Sequence, residues 1–259
     1  MSSPARVFAV LSLFTRDRPI WQPDEINEAL SYARATGYRY VKELVEAGFL
    51  QKLSVGRYAL GPRIIELDYQ LRQSDPVLLA AMPVMEELAR SSGYDAVLSV
   101  FFGRMQVIDT YRASVQPGLK LTYGRGRPRP LFQSGAPKIL LSSLPRPRLL
   151  RLYDQHAREI AEQGMGQSWI EFRGYLTRVR KQGFYLSRGE LEPGVGAAVV
   201  PVLNDEGDTV AALALVGPAE RLGDERAPQL RTLLDQAARQ IQDRLAWHEP
   251  AGHDSRNGI

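Results

Sequence analysis

The sequence contains no cysteine and only three histidines in 259 residues. Without cysteine there is no disulfide framework and no thiolate metal site, and His156, His248 and His253 are too scattered to suggest a zinc centre. The longest apolar runs, 197–203 and 210–216, fall well short of the roughly 18 residues that a membrane-spanning helix needs. These absences predict a cytoplasmic protein without a membrane segment, a structural metal or a cofactor.

Catalytic signatures are also scarce. The chain has no Gly-x-x-x-x-Gly-Lys-Ser/Thr phosphate loop, no Gly-x-Ser-x-Gly nucleophile elbow and no His-Glu-x-x-His pair. The short glycine pairs at 124–126 and 194–196 are too weak to indicate a dinucleotide site. Ser134 and Lys138 remain as an alternative, the nucleophile and base of a hydrolase, although their spacing departs from Ser-x-x-Lys. The sequence favours a binding protein over an enzyme.

What the chain does contain is apolar material for one large domain or two smaller ones, since 44% of its residues are hydrophobic. The net charge is +4, a mild basicity that fits nucleic-acid binding without demonstrating it. Basic residues concentrate between Thr110 and Tyr153, where there are nine Lys or Arg and no Asp or Glu. We call these residues the acid-free segment.

The first sixty residues have the order helix, helix, helix, hairpin. Apolar residues at helical spacing predict a first helix that Pro19 ends, and Pro23 followed by two acids predicts the start of a second. A third helix begins near Arg34 and stops at Gly48. Two short alternating strands, 49–53 and 57–60, then flank a tight turn. This order is typical of a winged helix-turn-helix domain, which we assign to residues 1–61.

In that arrangement the third helix enters the major groove of DNA and the hairpin lies along the backbone. The outward residues of the third helix can hydrogen-bond phosphates or base edges, and one arginine on the wing can reach a phosphate. The predicted contacts are Arg34, Thr36, Tyr38, Arg39 and Lys42 on the helix and Arg57 on the wing. The alternative is that these side chains are only the solvated face of an ordinary helix.

The remainder of the chain predicts a linker helix over residues 62–75 and a second domain over 76–248. Strands paired in hairpins and flanked by helices indicate an α+β domain with an antiparallel sheet. Helices are expected near 78–90, 135–144, 146–158, 168–182 and 224–246, and strands at 96–102, 105–111, 195–203 and 209–216. The polar tail 249–259 is expected to be disordered.

The segment from Ser134 to Lys138 reads as the opening of a helix. Serine can cap it, proline is tolerated in its first turn, and small residues leave backbone N–H groups open to an anion. Arg125, Arg127 and Arg129 lie just upstream, so a carboxylate or phosphate is expected here. The alternative is that these arginines are solvated or face a neighbouring subunit.

Five segments then carry a resemblance to the IclR family of bacterial transcriptional regulators over residues 5–246. They are ATGYRYVKELVEAGFL (35–50), GRYALGPRIIEL (56–67), RPLFQSGAPKILLSSLP (129–145), PGVGAAVVPV (193–202) and GDTVAALALVGPAERL (207–222). The resemblance implies a winged-helix DNA-binding domain, a linker helix and a GAF-like effector domain. It also implies a homodimer or homotetramer on a palindromic DNA operator, and two-fold pairing suits half-sites about one helical turn apart.

The resemblance also implies an effector pocket at defined positions. Gly135 and Ala136 match the family's small residues, whereas the family's acid falls near Ser187, its cysteine at Ala197 and its two serines at Ala214 and Val216. The usual histidine is Phe132, and Gly37 stands in the recognition helix where relatives carry a larger residue, which could allow a close approach to DNA. The predicted pocket residues are Tyr123, Arg129, Phe132, Ser134, Gly135, Ala136, Ser187, Arg188, Ala197, Ala214 and Val216.

These replacements remove hydrogen-bonding groups suited to a very small oxoacid and leave more apolar wall. A buried carboxylate needs a partner, which Arg129 or Arg188 can supply. The expected function is therefore a DNA-binding regulator that responds to a small organic acid with an aromatic or otherwise apolar body. Two alternatives remain: the Ser134/Lys138 hydrolase, and a DNA-binding protein whose second domain only assembles subunits.

Overall fold

A computed structural model describes residues 3–102, 106–116 and 118–248. Two sequence-based expectations, the turn at Gly103-Arg104 and the tail 249–259, lie outside these residues. The chain divides into two compact units, the first ending at Asp75 and the second beginning at Pro76.

The first unit contains four helices and a hairpin. They are α1 (Ser3–Ser12), α2 (Pro23–Leu30), α3 (Arg34–Glu46), β1 (Leu50–Ser54), β2 (Arg57–Leu60) and α4 (Arg63–Ser74). A small apolar core, which includes Val10, Ile26 and Leu44, joins the first three helices to β1. Trp21 exchanges two backbone hydrogen bonds with Tyr58 of β2, at 3.0 and 2.9 Å, and so ties the hairpin to the segment between α1 and α2. The predicted order of helix, helix, helix and hairpin is confirmed.

The second unit contains a six-stranded antiparallel sheet of order β5-β4-β3-β8-β7-β6. Its elements are α5 (Pro76–Ser92), β3 (Asp95–Phe102), β4 (Gln106–Ala113), β5 (Pro128–Arg129), α6 (Gly135–Ser142), α7 (Arg146–Glu162), α8 (Trp169–Gln182), β6 (Tyr185–Arg188), β7 (Val195–Leu203), β8 (Thr209–Pro218) and α9 (Ala227–His248). The predicted α+β class is confirmed, and the two shortest strands, β5 and β6, were not expected from the sequence.

Helices cover both faces of this sheet. Because side chains alternate along a strand, Leu213 and Leu215 of β8 face the cluster that α5 and α9 complete, whereas Ala214 and Val216 face the cluster that α6 completes. A strand buried on both faces has no polar side to show, which explains why β8 reads as one apolar run. A further cluster joins α7 to α8 and contains Phe132 and Phe172.

Gly37 has a packing role that the sequence did not reveal. It is buried, and a Cβ atom at this position would lie 1.6 Å from Oδ1 of Asn27 in α2. The expectation that Gly37 allows a close approach to DNA is therefore wrong, because this side of α3 faces α2. The amide atoms of buried Asn27 have no hydrogen-bond partner among the described residues.

We expect Gly37→Ala to destabilise the first unit, because overpacking costs about 1–3 kcal/mol and exceeds the gain of at most about 1 kcal/mol in helix propensity. Urea unfolding followed by circular dichroism measures the change. The double variant Asn27→Ala/Gly37→Ala, in which the clashing amide is gone, should recover the loss. A double variant no more stable than Gly37→Ala alone would contradict this account.

Candidate functional site

The exposed face of α3 is cationic. Arg34, Arg39 and Lys42 are exposed, and each has an acidic neighbour at 3.4 to 3.8 Å: Asp24, Glu43 and Glu46 respectively. All six of these side chains are at least half exposed, so the pairs are weak and a stronger anion can replace the acids. This face can therefore offer its cations to a phosphate backbone at little cost.

The other predicted contacts of the first unit lie around the same helix. Tyr38 is exposed and Thr36 is half-buried, while Arg57 is exposed at the start of β2. A groove of about 520 Å³ is bordered by Tyr38, Arg39 and Lys42 of α3 and also by Lys52 of the hairpin. Helix and hairpin thus form one surface, and Lys52 adds a cation that sequence reasoning missed because a lone lysine on a strand carries no signal.

The second unit encloses a cavity of about 40 Å³ beside α6, β7 and β8, which has room for about three water molecules. Most of its wall is apolar, and its polar residues come from β3, β5, the start of α6, β6 and the loop after β6. The lining residues are Val97, Ser99, Leu121, Arg129, Ser134, Ala136, Ser187, Glu190, Leu191, Glu192, Val195, Gly196, Ala197, Val199, Ala214 and Val216.

Seven of the eleven predicted pocket residues line this cavity. They are Arg129, Ser134, Ala136, Ser187, Ala197, Ala214 and Val216. They come from five different elements, separated by up to 87 positions in sequence, and the sheet topology brings them together.

The other four predicted residues do not line the cavity. Phe132 is fully buried in the cluster between α7 and α8, with its ring centroid 6.4 Å from that of Phe172. Gly135 lies against β7, where a Cβ atom would come within 2.7 Å of Val199 Cγ2. Arg188 is ion-paired with Asp224 and partly exposed. Tyr123 is half-buried outside the cavity wall.

Ser134, the residue before the first turn of α6, has an unusual backbone and an unusual side chain. Its φ of 65° and ψ of 172° lie in a region that is nearly exclusive to glycine, at a cost of about 1–3 kcal/mol. Its hydroxyl is buried and has no hydrogen-bond partner among the residues that the structure describes. A strained residue with an unused donor therefore borders the cavity at the N-terminus of a helix, where N–H groups and the helix dipole favour an anion.

Arg129 is already neutralised. It donates from Nε and Nη2 to the two carboxylate oxygens of Asp109, at 2.7 and 2.6 Å, and Ser99 donates to the same carboxylate at 2.7 Å. Asp109 and Ser99 are buried. Both guanidinium groups are paired with aspartates of the protein, so a ligand carboxylate would have to compete with Asp109 for Arg129 or with Asp224 for Arg188.

A second charged cluster surrounds Lys138. Its Nζ donates to Glu190 at 2.6 Å and to the Tyr185 hydroxyl at 2.7 Å, and Tyr185 in turn donates to Glu190 at 3.1 Å. Burial raises the pKa of the Tyr185 phenol, so this hydroxyl stays protonated and remains a donor to the carboxylate. Lys138 is buried, whereas Glu190 is partly exposed at the cavity wall.

Glu190 belongs to a short loop, residues 189–194, that borders the cavity. Glycines with positive φ, Gly189 at 68° and Gly194 at 77°, stand at its two ends. Besides Glu190, the loop contributes Leu191 and Glu192, and Glu192 accepts hydrogen bonds from the backbone N–H and the hydroxyl of Thr122. We call this segment the 189–194 loop. Hydrogen bonds of Glu190 and Glu192 thus attach the loop to α6 and to Thr122.

The geometry gives no support to a serine hydrolase. Lys138 donates to Glu190 and Tyr185, and the unpartnered Ser134 hydroxyl forms no hydrogen bond with it. The described ranges also contain no group of three or more His, Asp or Glu side chains placed to hold a metal ion. Within the same ranges, no helix is long and apolar enough to cross a bilayer.

Comparison with known proteins assigns the chain. The family profile "Bacterial transcriptional regulator IclR C-terminal" matches residues 70–243, and the profile "IclR helix-turn-helix domain" matches residues 3–54. The chain belongs to the IclR family of bacterial transcriptional regulators. The predicted family is thus confirmed, and so is the expectation of a regulator rather than an enzyme.

Individual relatives agree with this assignment. This IclR regulator is 23% identical to the HTH-type transcriptional regulator KdgR of Escherichia coli over 250 residues, which covers 96% of this chain and 94% of KdgR. It is 26% identical to XynR of the same organism over 250 residues, covering 95% and 98% of the two chains. It shares its fold with an IclR homologue from Microbacterium hydrocarbonoxydans, crystallised with 4-hydroxybenzoate, at a TM-score of 0.76 and 23% identity over 95% and 100% of the chains.

The pairing of the two arginines in this IclR regulator predicts different costs of removing them. Arg129→Ala leaves Asp109 buried and unpaired, so we expect a loss of about 3–5 kcal/mol in the free energy of unfolding. Arg188→Ala breaks only a partly exposed pair and should cost less than about 1 kcal/mol. Urea denaturation of the full-length variants measures both, and equal losses would show that the buried pair has been misassigned.

Proposed function

We propose that this regulator reads a palindromic DNA operator with α3 and the hairpin of its first unit. Residues 1–61 would form the DNA-binding domain, 62–75 the linker helix and 76–248 the effector domain, in the cytoplasm where the operator is found. The observation that carries this proposal is the exposed face of α3, whose cations are paired only weakly. Arg34, Thr36, Tyr38, Arg39 and Lys42 would contact DNA from the helix.

The wing would add phosphate contacts from Arg57. Lys52, on the same groove as α3, would add another. Arg39 is the preferred candidate for a base contact because its planar guanidinium can bridge a guanine edge, whereas Lys42 acts as a point charge on phosphate.

A homodimer would place two copies of this domain on the two half-sites, alone or within a homotetramer. The supporting observation is that none of the twelve described residues of α4 is buried. Three of its apolar side chains, Ile65, Tyr69 and Leu71, are each more than half exposed. Exposed apolar side chains along one helix favour burial against another chain.

Removing cations from α3 should weaken operator binding. We expect Arg39→Ala to lower affinity about tenfold and to relax base preference at one position, and Lys42→Ala to weaken binding on all sequences and reduce the salt slope by about one. The measurement is fluorescence anisotropy on an operator selected from a random duplex library, as a function of salt. Arg158→Ala, which removes an exposed cation of α7, is the matched control. If Arg39→Ala and Arg158→Ala change operator affinity by the same factor, the proposed interface is rejected.

For the effector, we propose a small organic acid with an aromatic or otherwise apolar body, bound in the cavity beside α6. The supporting observation is the buried, unpartnered hydroxyl of Ser134, in the described part of the chain, at the N-terminus of this helix. The carboxylate would accept from this hydroxyl and from the first N–H groups of α6. Side chains such as Val97, Val199 and Val216 would contact the apolar body. The Microbacterium homologue crystallised with 4-hydroxybenzoate gives independent support to an aromatic acid.

Such a ligand must enlarge the cavity, because about 40 Å³ is far below the roughly 300 Å³ at which ordinary ligand pockets begin. We assign this enlargement to movement of the 189–194 loop, since glycines stand at both of its ends and its side-chain anchors are two, Glu190 on Lys138 and Glu192 on Thr122. We propose that Glu190 moves away with this loop to admit the apolar body, while the effector carboxylate binds at Ser134 and the first turn of α6. Loop movement would then couple to DNA binding, by the 1–3 kcal/mol that is typical of such linkage.

Ser134→Gly should increase the stability of the protein and decrease its affinity for the effector. It relieves backbone strain and so should raise the melting temperature of the free protein, while loss of the hydroxyl should weaken binding of 4-hydroxybenzoate about tenfold. Thermal shift and calorimetry with 4-hydroxybenzoate, benzoate, benzamide and glyoxylate provide the readouts. Ser143→Ala, which removes a serine at the other end of α6, is the control. Stabilisation by glyoxylate alone would overturn the aromatic-acid proposal.

A further inference from the structure

The second unit has another concave surface that shares no lining residue with the effector cavity. It lies between the α6–α7 junction and α8 and has a volume of about 240 Å³. Its lining residues are Ser142, Leu144, Arg146, Leu149, Trp169, Arg173, Leu176, Thr177 and Arg180. We call it the arginine groove.

Three arginines line this groove: Arg146, Arg173 and Arg180. Within the described ranges these side chains have neither an ion pair nor a hydrogen bond, and the groove wall contains no acidic residue. Other arginines of the same unit are paired, such as Arg129 with Asp109 and Arg158 with Glu162. Three uncompensated like charges around one concavity attract an anion of more than one charge.

The positions on α8 explain why the groove is basic. Trp169, Arg173 and Arg180 fall at i, i+4 and i+11, which places them along one side of the helix. The one acid of α8, Glu171, is used at the helix start, where its carboxylate accepts from the backbone N–H of Gln167 at 2.8 Å. Arg146 comes from the acid-free segment, so neither wall of the groove supplies a carboxylate.

The floor of the groove is apolar and packed. Leu149 and Leu176 are buried, and Trp169 packs on Tyr153 and Phe172 with ring centroids 6.0 and 6.3 Å apart. An inorganic ion makes no favourable contact with such an apolar surface, whereas an organic ligand can pack a ring or an alkyl chain against it. The groove therefore suits a small molecule with an apolar body and a multiply charged head.

We propose that the arginine groove binds an organic phosphate. A phosphate monoester carries close to two negative charges at neutral pH and presents three acceptor oxygens, enough for more than one arginine fork. A single carboxylate has two oxygens and is satisfied by one fork, so it leaves two of the three arginines unused. The site would give the regulator a ligand input separate from the effector cavity.

The test is calorimetric titration of the full-length protein with phenyl phosphate, compared with phenol, inorganic phosphate and citrate. We expect phenyl phosphate to bind at least tenfold more tightly than the other three. Arg173→Ala/Arg180→Ala should weaken phenyl phosphate binding at least tenfold without lowering the melting temperature, because both side chains are exposed. Arg151→Ala, an exposed arginine of α7 outside the groove, should leave binding unchanged.

Three results would overturn the proposal. If the wild-type protein does not bind phenyl phosphate at millimolar concentration, the proposed site is rejected. Binding that survives Arg173→Ala/Arg180→Ala but is lost in Ser134→Gly places the ligand in the effector cavity. Citrate binding as tight as phenyl phosphate, and equally dependent on Arg173 and Arg180, makes the groove a polycarboxylate site.

Discussion

The coverage of the central sheet on both faces is the constraint on which the second unit depends. Because helices close off both sides, a charged group within the sheet must find its partner inside the protein. Asp109 meets this demand with Arg129 and Ser99, and Asp95 with Arg112, Ser114 and two backbone N–H groups. In the cavity beside α6, Arg129 is accordingly paired, and the Ser134 hydroxyl is without a partner among the residues that the structure describes.

In the first unit, by contrast, the charged groups of α3 are exposed to solvent. The ion pairs of α3 lie on its exposed side, where water and salt weaken them, so the cations remain available to a stronger polyanion. Its buried side, by contrast, is specified by shape, since Gly37 lets α2 and α3 approach so closely that no Cβ atom fits. Helix α3 thus has an exposed, charged side and a buried side that packs too closely for a Cβ atom at Gly37.

Helix α6 connects the two candidate ligand sites of the second unit. Ser134, which precedes its first turn, borders the effector cavity, and Ser142, its last residue, borders the arginine groove. All eight residues of this helix are buried, so it is held firmly between the two sites. A packed helix between two sites is an element through which binding at one can be coupled to binding at the other.

Sequence patterns alone determined the element order, the family and the exposed face of α3. Periodicity and helix-ending glycines are local signals, so they survive without knowledge of the fold. Seven of the pocket residues that the family resemblance predicted line one cavity in the structure. The edge strands β5 and β6 were not predicted, and β5 has only two residues, which are too few to show alternation.

Only the tertiary structure decided which charges are free. In sequence, Arg129, Arg188 and Arg173 look alike, yet the first is held by a buried aspartate, the second by an exposed one, and the third has no partner among the described residues. Asp109 and Asp224, which make this difference, lie 20 and 36 positions away from their arginines. Pairing over such separations depends on which strands and helices meet in space, and no local pattern contains that information.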